Sequence, residues 1–202
     1  MTEIIKYFDC FAGIGGFSCA AEQIKNHKFK FKCVAYCEID KQAQAFYEKA
    51  YNLKNVQKID DVKKIRTSKN PNGLLVTDFD MLFAGFPCQS FSNVGYRKGL
   101  DDERGQLFLY LLDILDYYHP KYFVFENVQK LSTIRRGKLL SEMEIALQEI
   151  GPGYHLHTWD LLASDYGLPQ KRYRIFFCGI RRDLSERKDL NEPPKVDQNN
   201  EK

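Results

Sequence analysis

Cys88 stands in the string Gly85-Phe-Pro-Cys-Gln-Ser-Phe-Ser92, just past an apolar run and behind a proline. The fixed φ of Pro87 sets the direction in which the chain leaves that run. A cysteine so placed can act as a nucleophile once its thiol is acidified to thiolate, although a buried, inert role is the commoner one for this residue type. The segment that follows is polar and punctuated by Gly95, Gly99 and Gly105. That composition suits a loop that closes over substrate, with Gln89, Ser90, Ser92 and Arg97 as its candidate contacts. Glu126-Asn127-Val128 ends a later apolar run. A carboxyl at a strand end beside a cleft can keep its proton and donate to a ring nitrogen; the competing reading is a solvated charge. In Gln170-Lys-Arg-Tyr-Arg174, Arg172 and Arg174 alternate, so on an extended chain they point the same way. Two guanidiniums facing one cleft suit a base oxygen or a phosphate. An edge strand with basic outer positions is the alternative.

A separate constellation lies near the start, in Phe8-Asp-Cys-Phe-Ala-Gly-Ile-Gly-Gly-Phe17. Glycines between a first strand and a helix let a ligand approach the backbone and the free N–H groups of the helix start. The dinucleotide fingerprint GxGxxG requires glycine where this chain has Ser18, after Gly13 and Gly15. Glu38, at the end of the second apolar run, has the placement of an acid that binds ribose hydroxyls. A nucleoside cofactor follows, but its identity stays open at this point. Structural glycines in an ordinary turn are the simpler alternative.

These residues need a scaffold that brings strand ends together. Apolar runs at Ile4–Phe11, Phe31–Ile39, Asp80–Phe86 and Tyr122–Val128, with a weaker one at Val56–Val62, read as strands. Helical patterns occupy Phe17–Ile24, Lys41–Tyr51, Gln106–Tyr118 and Lys138–Ile150. This alternation predicts an α/β fold, a doubly wound and mostly parallel sheet. The runs Tyr154–Leu162 and Arg174–Ile180 have no helix between them and are expected to form an antiparallel hairpin at one edge. Ligands of such sheets gather at the carboxyl ends of the strands, where Asp9, Glu38, Cys88 and Glu126 fall.

Composition sets looser bounds. The chain has 202 residues, 44% of them hydrophobic and 28% charged, which is ample for one core and short for two. We expect one catalytic domain over residues 1–183 and a flexible tail over 184–202, because the tail from Glu192 offers little apolar surface to offset ordering. The net charge of +3 is too mild to argue for nucleic acid by itself. Two basic groups stand out, Arg135-Arg136-Lys138 and Lys171-Arg172-Arg174. The six cysteines contain no CxxC pair, so neither zinc nor a disulfide framework is expected. All but Cys88 read as small core residues. No stretch approaches the roughly 20 apolar residues of a membrane span, and no signal-peptide layout opens the chain. A cytoplasmic, nucleoid-associated enzyme is the expectation.

In order and wording, GFPCQSFS, ENV and QKRYRI resemble the cytosine-C5 methyltransferases of DNA restriction–modification systems, over about Tyr7 to Gly179. The resemblance implies the Rossmann-like fold of S-adenosylmethionine-dependent methyltransferases. It implies that Cys88 is the nucleophile, that Glu126 grips the cytosine, that Arg174 holds the carbonyl oxygen and that Arg172 supports the nucleophile side. For the cofactor it implies Phe11 and Ala12 near the adenine, Gly13, Gly15, Gly16 and Leu107 along the methionine end, and Glu38 on the ribose. Ile39 falls on the adenine, Asp61 and Val62 near the adenine amine, and Gly85 and Pro87 beside them. Asp60 competes with Asp61 for that role. The partners implied are double-stranded DNA and, because family members continue into a target-recognition domain and a closing segment, a second polypeptide that carries both. No metal and no membrane enter this picture. The alternatives are a truncated remnant without activity, a transfer-RNA methyltransferase, a module that binds without catalysis and, from the glycine loop alone, a nicotinamide dehydrogenase.

Overall fold

In the computed structural model, which describes residues 2–87, 106–184 and 190–196, strand and helix alternate as the apolar periodicity predicts. The elements are β1 (Glu3–Cys10), α1 (Gly16–Gln23), β2 (Phe29–Cys37), α2 (Lys41–Ala50), β3 (Gln57–Ile59), β4 (Met81–Gly85), α3 (Gln106–Tyr118), β5 (Tyr122–Val128), α4 (Lys138–Glu149), β6 (Tyr154–Leu162) and β7 (Tyr173–Arg181). They build one seven-stranded sheet in the order β3-β2-β1-β4-β5-β7-β6. β1 pairs in parallel with β2 and β4, and β4 with β5. β7 then runs antiparallel to both β5 and β6, which gives the expected hairpin at one edge. β1 and β4 lie side by side at the point where the strand order reverses, so their carboxyl ends frame the crevice in which an open α/β sheet binds ligands.

One face of the sheet carries the main core. Phe108, Leu111, Ile114 and Leu115 of α3 and Leu139, Met143 and Leu147 of α4 pack there on Leu82, Phe123, Phe125, Ile175 and Phe177, all at 2% exposure or less. Gly179 belongs to this packing, because a Cβ there would come within 2.0 Å of the Phe123 ring. The other face is covered by α1 and α2 over β1 and β2. Tyr7, Ala21 and Phe83 form one small cluster there, and Ala12, Tyr36 and Tyr47 another. Asp40 fixes the start of α2 by accepting hydrogen bonds from the Gln42 and Ala43 N–H groups, each at 2.8 Å.

Residues 190–196 run over the surface through polar contacts. Leu190 N–H donates to His157 Nε2 at 3.0 Å, Val196 N–H to Asp165 O at 2.9 Å, and Lys195 pairs with Asp165 at 2.8 Å. One expectation about the cysteines needs correction. Cys19 is exposed, because it lies on the outward side of α1 while Ser18 and Ala21 face in. Among the described residues no helix is long and apolar enough to cross a membrane.

Candidate active site at the strand ends

The glycine loop is tied to the second strand through Glu38. One carboxylate oxygen accepts the Gly13 N–H at 2.7 Å and the other the Asp40 N–H at 2.8 Å. Ala12 N–H donates to Cys37 O at 3.0 Å. Phe11 takes a left-handed backbone, φ 56°, to enter the loop. A Cβ on Gly13 or Gly16 would meet nothing within 4 Å, so open space lies over the loop at both positions. Gly15 has a different reason to be glycine. A Cβ there would lie 2.3 Å from the Tyr51 ring, and Tyr51 OH donates to Gly15 O at 2.7 Å. Each Glu38 oxygen keeps a second lone pair, so this floor of open glycines and one carboxylate can take the vicinal hydroxyls of a nucleoside.

Beneath the loop lies a polar cluster that spacing alone does not reveal. Asp9 is 1% exposed, and its Oδ2 accepts from Ser18 Oγ at 2.9 Å and Tyr47 OH at 3.3 Å. Ser18 Oγ also lies 2.6 Å from Tyr47 OH and accepts from Tyr7 OH at 3.1 Å. The residue that breaks the dinucleotide fingerprint is thus the hub joining β1, α1 and α2. Burial pushes the Asp9 carboxyl up to about 7, against the two hydroxyl hydrogen bonds that lower it. Its Oδ1 is buried and unpartnered among the described residues.

The second half of the site is built on β4, β5 and β7. The antiparallel register sets Arg174 opposite Val128 and Phe176 opposite Glu126, so Arg174 and Glu126 share a face one step apart along the strands. Arg174 Nε stands 2.5 Å from Glu126 Oε1. This is a charge contact without hydrogen-bond alignment, since Nε–H has no hydrogen-bond partner among the described residues; Nη1 donates to Tyr173 O at 2.7 Å. A Cβ on Gly85 would lie 3.6 Å from Glu126 Oε2 and 3.9 Å from Phe17 of α1. The end of β4, the glycine-loop helix and the Glu126–Arg174 pair therefore meet. Asn127 joins the same ends from below, because its buried Nδ2 donates to Phe86 O at 3.1 Å while its Oδ1 accepts Val128 N–H at 2.8 Å. Asn127 positions the strand that leads to Cys88, a role its polarity inside an apolar run could have signalled.

Cys88, Gln89, Ser90, Ser92 and Arg97 lie outside the described residues. Pro87, at the last described position before them, is exposed. Burial pushes the thiols of Cys33 and Cys178 up to about 12 and that of Cys10 also well up, so none of these three supplies a thiolate readily. Arg172 is exposed just ahead of β7, and its carbonyl accepts the Ala163 N–H at 2.9 Å. Ile39 is 68% exposed beside the glycine loop. The two candidate acids divide: Asp60 pairs with Lys64 at 2.9 Å, whereas Asp61 caps the 3-10 turn Val62–Lys64 through the Lys63 N–H at 2.9 Å. Val62 is buried, and Phe11 and Leu107 both pack against the main core. Among the described residues no group of His, Cys, Asp and Glu could hold a metal ion.

A reversal of strand order, an open glycine loop with a carboxylate floor, and a carboxyl–guanidinium pair at adjacent strand ends meet at the carboxyl edge of this α/β sheet. The chain belongs to the C-5 cytosine-specific DNA methylase family, whose match extends over residues 5–202. It is 38% identical over 182 residues to the orphan methyltransferase M.Rho11sI of Bacillus phage rho11s, covering 90% of this chain and 34% of that protein. To the type II methyltransferase M.HhaI of Haemophilus parahaemolyticus it is 36% identical over 181 residues, 90% of this chain and 50% of the relative. The chain thus spans between a third and a half of these relatives. The solved structure of the Entamoeba histolytica methyltransferase EhMeth shares the fold, with a TM-score of 0.71 at 22% identity over 97% of this chain and 58% of that one.

Proposed function

We propose that this chain is the catalytic and cofactor-binding part of an enzyme that methylates C5 of cytosine in DNA. The observation that carries the reading is the meeting of Glu126, Arg174 and Gly85 beside the glycine loop, three residues before Cys88 in the sequence. When bound, S-adenosylmethionine supplies the electrophilic methyl that C5 takes. Glu38 holds its ribose, Asp61 and Val62 its adenine end with Phe11, Ala12 and Ile39, and Gly13, Gly16 and Leu107 border its methionine end. The chain's own residues prepare the base. The Cys88 sulfur bonds to C6 while Glu126 gives a proton to N3, so the displaced electron pair gathers at C5. Arg174 holds the base oxygen, and Arg172 supports the nucleophile from the start of β7. A base then takes the C5 proton, and the freed electron pair re-forms the C5–C6 double bond and expels the Cys88 thiolate. N3 returns its proton to Glu126. A cytosine can reach such a site only outside the base stack.

The rest of the enzyme we assign to a second polypeptide that carries the target-recognition domain. The half-covered sheet face that bears Glu126 and Arg174 supports this.

Cys88→Ala should abolish methyl transfer from tritiated cofactor to DNA, assayed with the completing polypeptide, while calorimetry shows cofactor binding unchanged. Transfer at a rate comparable to wild type would remove Cys88 as nucleophile.

A further inference from the structure

Among the described residues, exposed cations without ion-pair partners gather at the end of the sheet that carries Glu126 and Arg174. Where β4 and β5 begin and β7 ends, Lys6 pairs with Asp78, Lys121 with Asp80, Arg181 with Asp183 and Arg182 with Glu149, at 2.7 to 3.5 Å. Where β5 ends, α4 begins and β7 starts, Lys130, Arg136, Lys138, Lys171 and Arg172 are all exposed, and none has an ion-pair partner among the described residues. Arg135, Arg174 and Lys195 are matched there, with Glu142, Glu126 and Asp165.

We propose that Lys130, Arg136 and Lys138, with Lys171 beyond them, are a contact surface for the phosphates that flank the target base, binding the duplex without regard to sequence. This rests on the function proposed above, because the cations rim the end of the sheet where that base would enter. Unmatched lysines and arginines contribute to affinity by releasing counterions from the phosphate backbone and carry no base information. A protein partner would call for apolar anchors at the centre of its contact. The 129–138 segment exposes no large apolar residue: Leu131 is fully buried and Ile134 half-buried. The backbone gives the segment its shape. Arg135 and Arg136 both take left-handed conformations, φ 51° and 60°, ahead of Gly137, which turns the chain sharply into α4 and leaves Arg136 and Lys138 outside.

The test compares wild type with Lys130→Ala/Arg136→Ala/Lys138→Ala in binding a labelled duplex of arbitrary sequence, by anisotropy, between about 50 and 200 mM salt. The slope of log affinity against log salt should become shallower by roughly 2 to 3 in the variant, equally for unrelated sequences, with cofactor affinity unchanged. An unaltered slope overturns the proposal. So does a wild type that fails to bind duplex at the lowest salt, or polyglutamate that displaces the duplex as effectively as unlabelled DNA, which would make the surface a site for an acidic protein. Calorimetry with S-adenosylmethionine is the separate check on the enzymatic reading: a wild type that binds duplex with the expected slope but no cofactor would count against that reading and not against the surface.

Discussion

β5 and β7 present two faces made from the same strands, and the faces differ in what covers them. Phe123, Phe125, Ile175 and Phe177 point to one side and are at most 1% exposed beneath α3 and α4. Tyr122, Val124 and Glu126 of β5, with Arg174, Phe176, Cys178 and Ile180 of β7, point to the other and are all half-buried. The helical side chains in the cluster that includes Phe83 and Val124 are Phe17 and Ala21, both from α1. Stability and chemistry are therefore divided by the pleat. The enclosed face supplies the burial, while the half-covered face carries Glu126 and Arg174. Residues of similar size on adjacent positions should respond very differently to the same substitution.

Phe125→Ala tests that division most strongly. Removing a fully buried aromatic ring leaves a cavity between β5 and the helices and should cost about 3–5 kcal/mol. Phe176→Ala, one strand over on the other face, should cost well under half of that. Chemical unfolding of both variants makes the comparison, and equal losses would mean that the two faces are equally enclosed.

Asp9 offers the next largest effect, as the charged residue among the buried polar groups on the α1–α2 side. Its folded carboxyl titrates at about 7 rather than near 3.8, so the folded chain holds this proton more tightly than the unfolded one. The corresponding stability is fully present below the ordinary carboxylate range, falls as pH rises and is gone above about 7. Asp9→Asn keeps the shape and removes the titration. Between about pH 5 and pH 6.5 the variant should gain roughly 2 kcal/mol on wild type. Thermal unfolding at the two pH values reads this, and parallel curves would show that Asp9 stays charged when buried.

Much of this arrangement is legible in the residues. Gln106–Tyr118, Tyr122–Val128 and Tyr154–Leu162 have the bounds that apolar periodicity assigns them, because each is long and its pattern unbroken. The antiparallel edge follows from the lack of a helix between the last two runs. The weak run at Val56–Val62 becomes only a three-residue strand and a 3-10 turn, since only Ala35 to Cys37 of β2 pair with it. Two features depend on contacts that no local spacing encodes. Ser18 reads as a failed glycine because its partners, Asp9 and Tyr47, arrive from other elements. The Glu126–Arg174 contact needs the β5–β7 register, which places side by side two residues separately assigned to different atoms of a base.

Asn127 sharpens the comparison at the point where the faces meet. It is buried on the enclosed side, yet it ties down Phe86, two residues before Cys88 in the sequence. Asn127→Ala would leave the Phe86 carbonyl and the Val128 N–H without their side-chain partner, at a cost of about 1–3 kcal/mol. Methyl transfer should fall further than this loss of stability explains, because Phe86 lies two residues before Cys88. Full activity in a destabilised variant would show that the anchor serves the fold alone.

The smallest effect separates an exposed face from one that awaits a partner. Val124 is half-buried opposite Phe83 and in register with Cys178, so Val124→Ala should cost only about 1 kcal/mol in the chain by itself. If a second polypeptide seats on this face, the same methyl groups become fully enclosed in the complex, and their loss should then weaken association by a comparable further amount. Val124→Lys goes further, since it places a charge where the partner must desolvate it. It should be tolerated in the free chain, where the long stem of the new side chain carries its ammonium out to water, and should abolish assembly. It should also reduce any self-association through the same face, because exposed apolar patches are what bring copies together. Sedimentation of the free chain, and of the chain mixed with the completing polypeptide, measures both. A Val124→Lys protein that assembles as tightly as wild type would place the partner elsewhere and leave this face as solvent-facing surface.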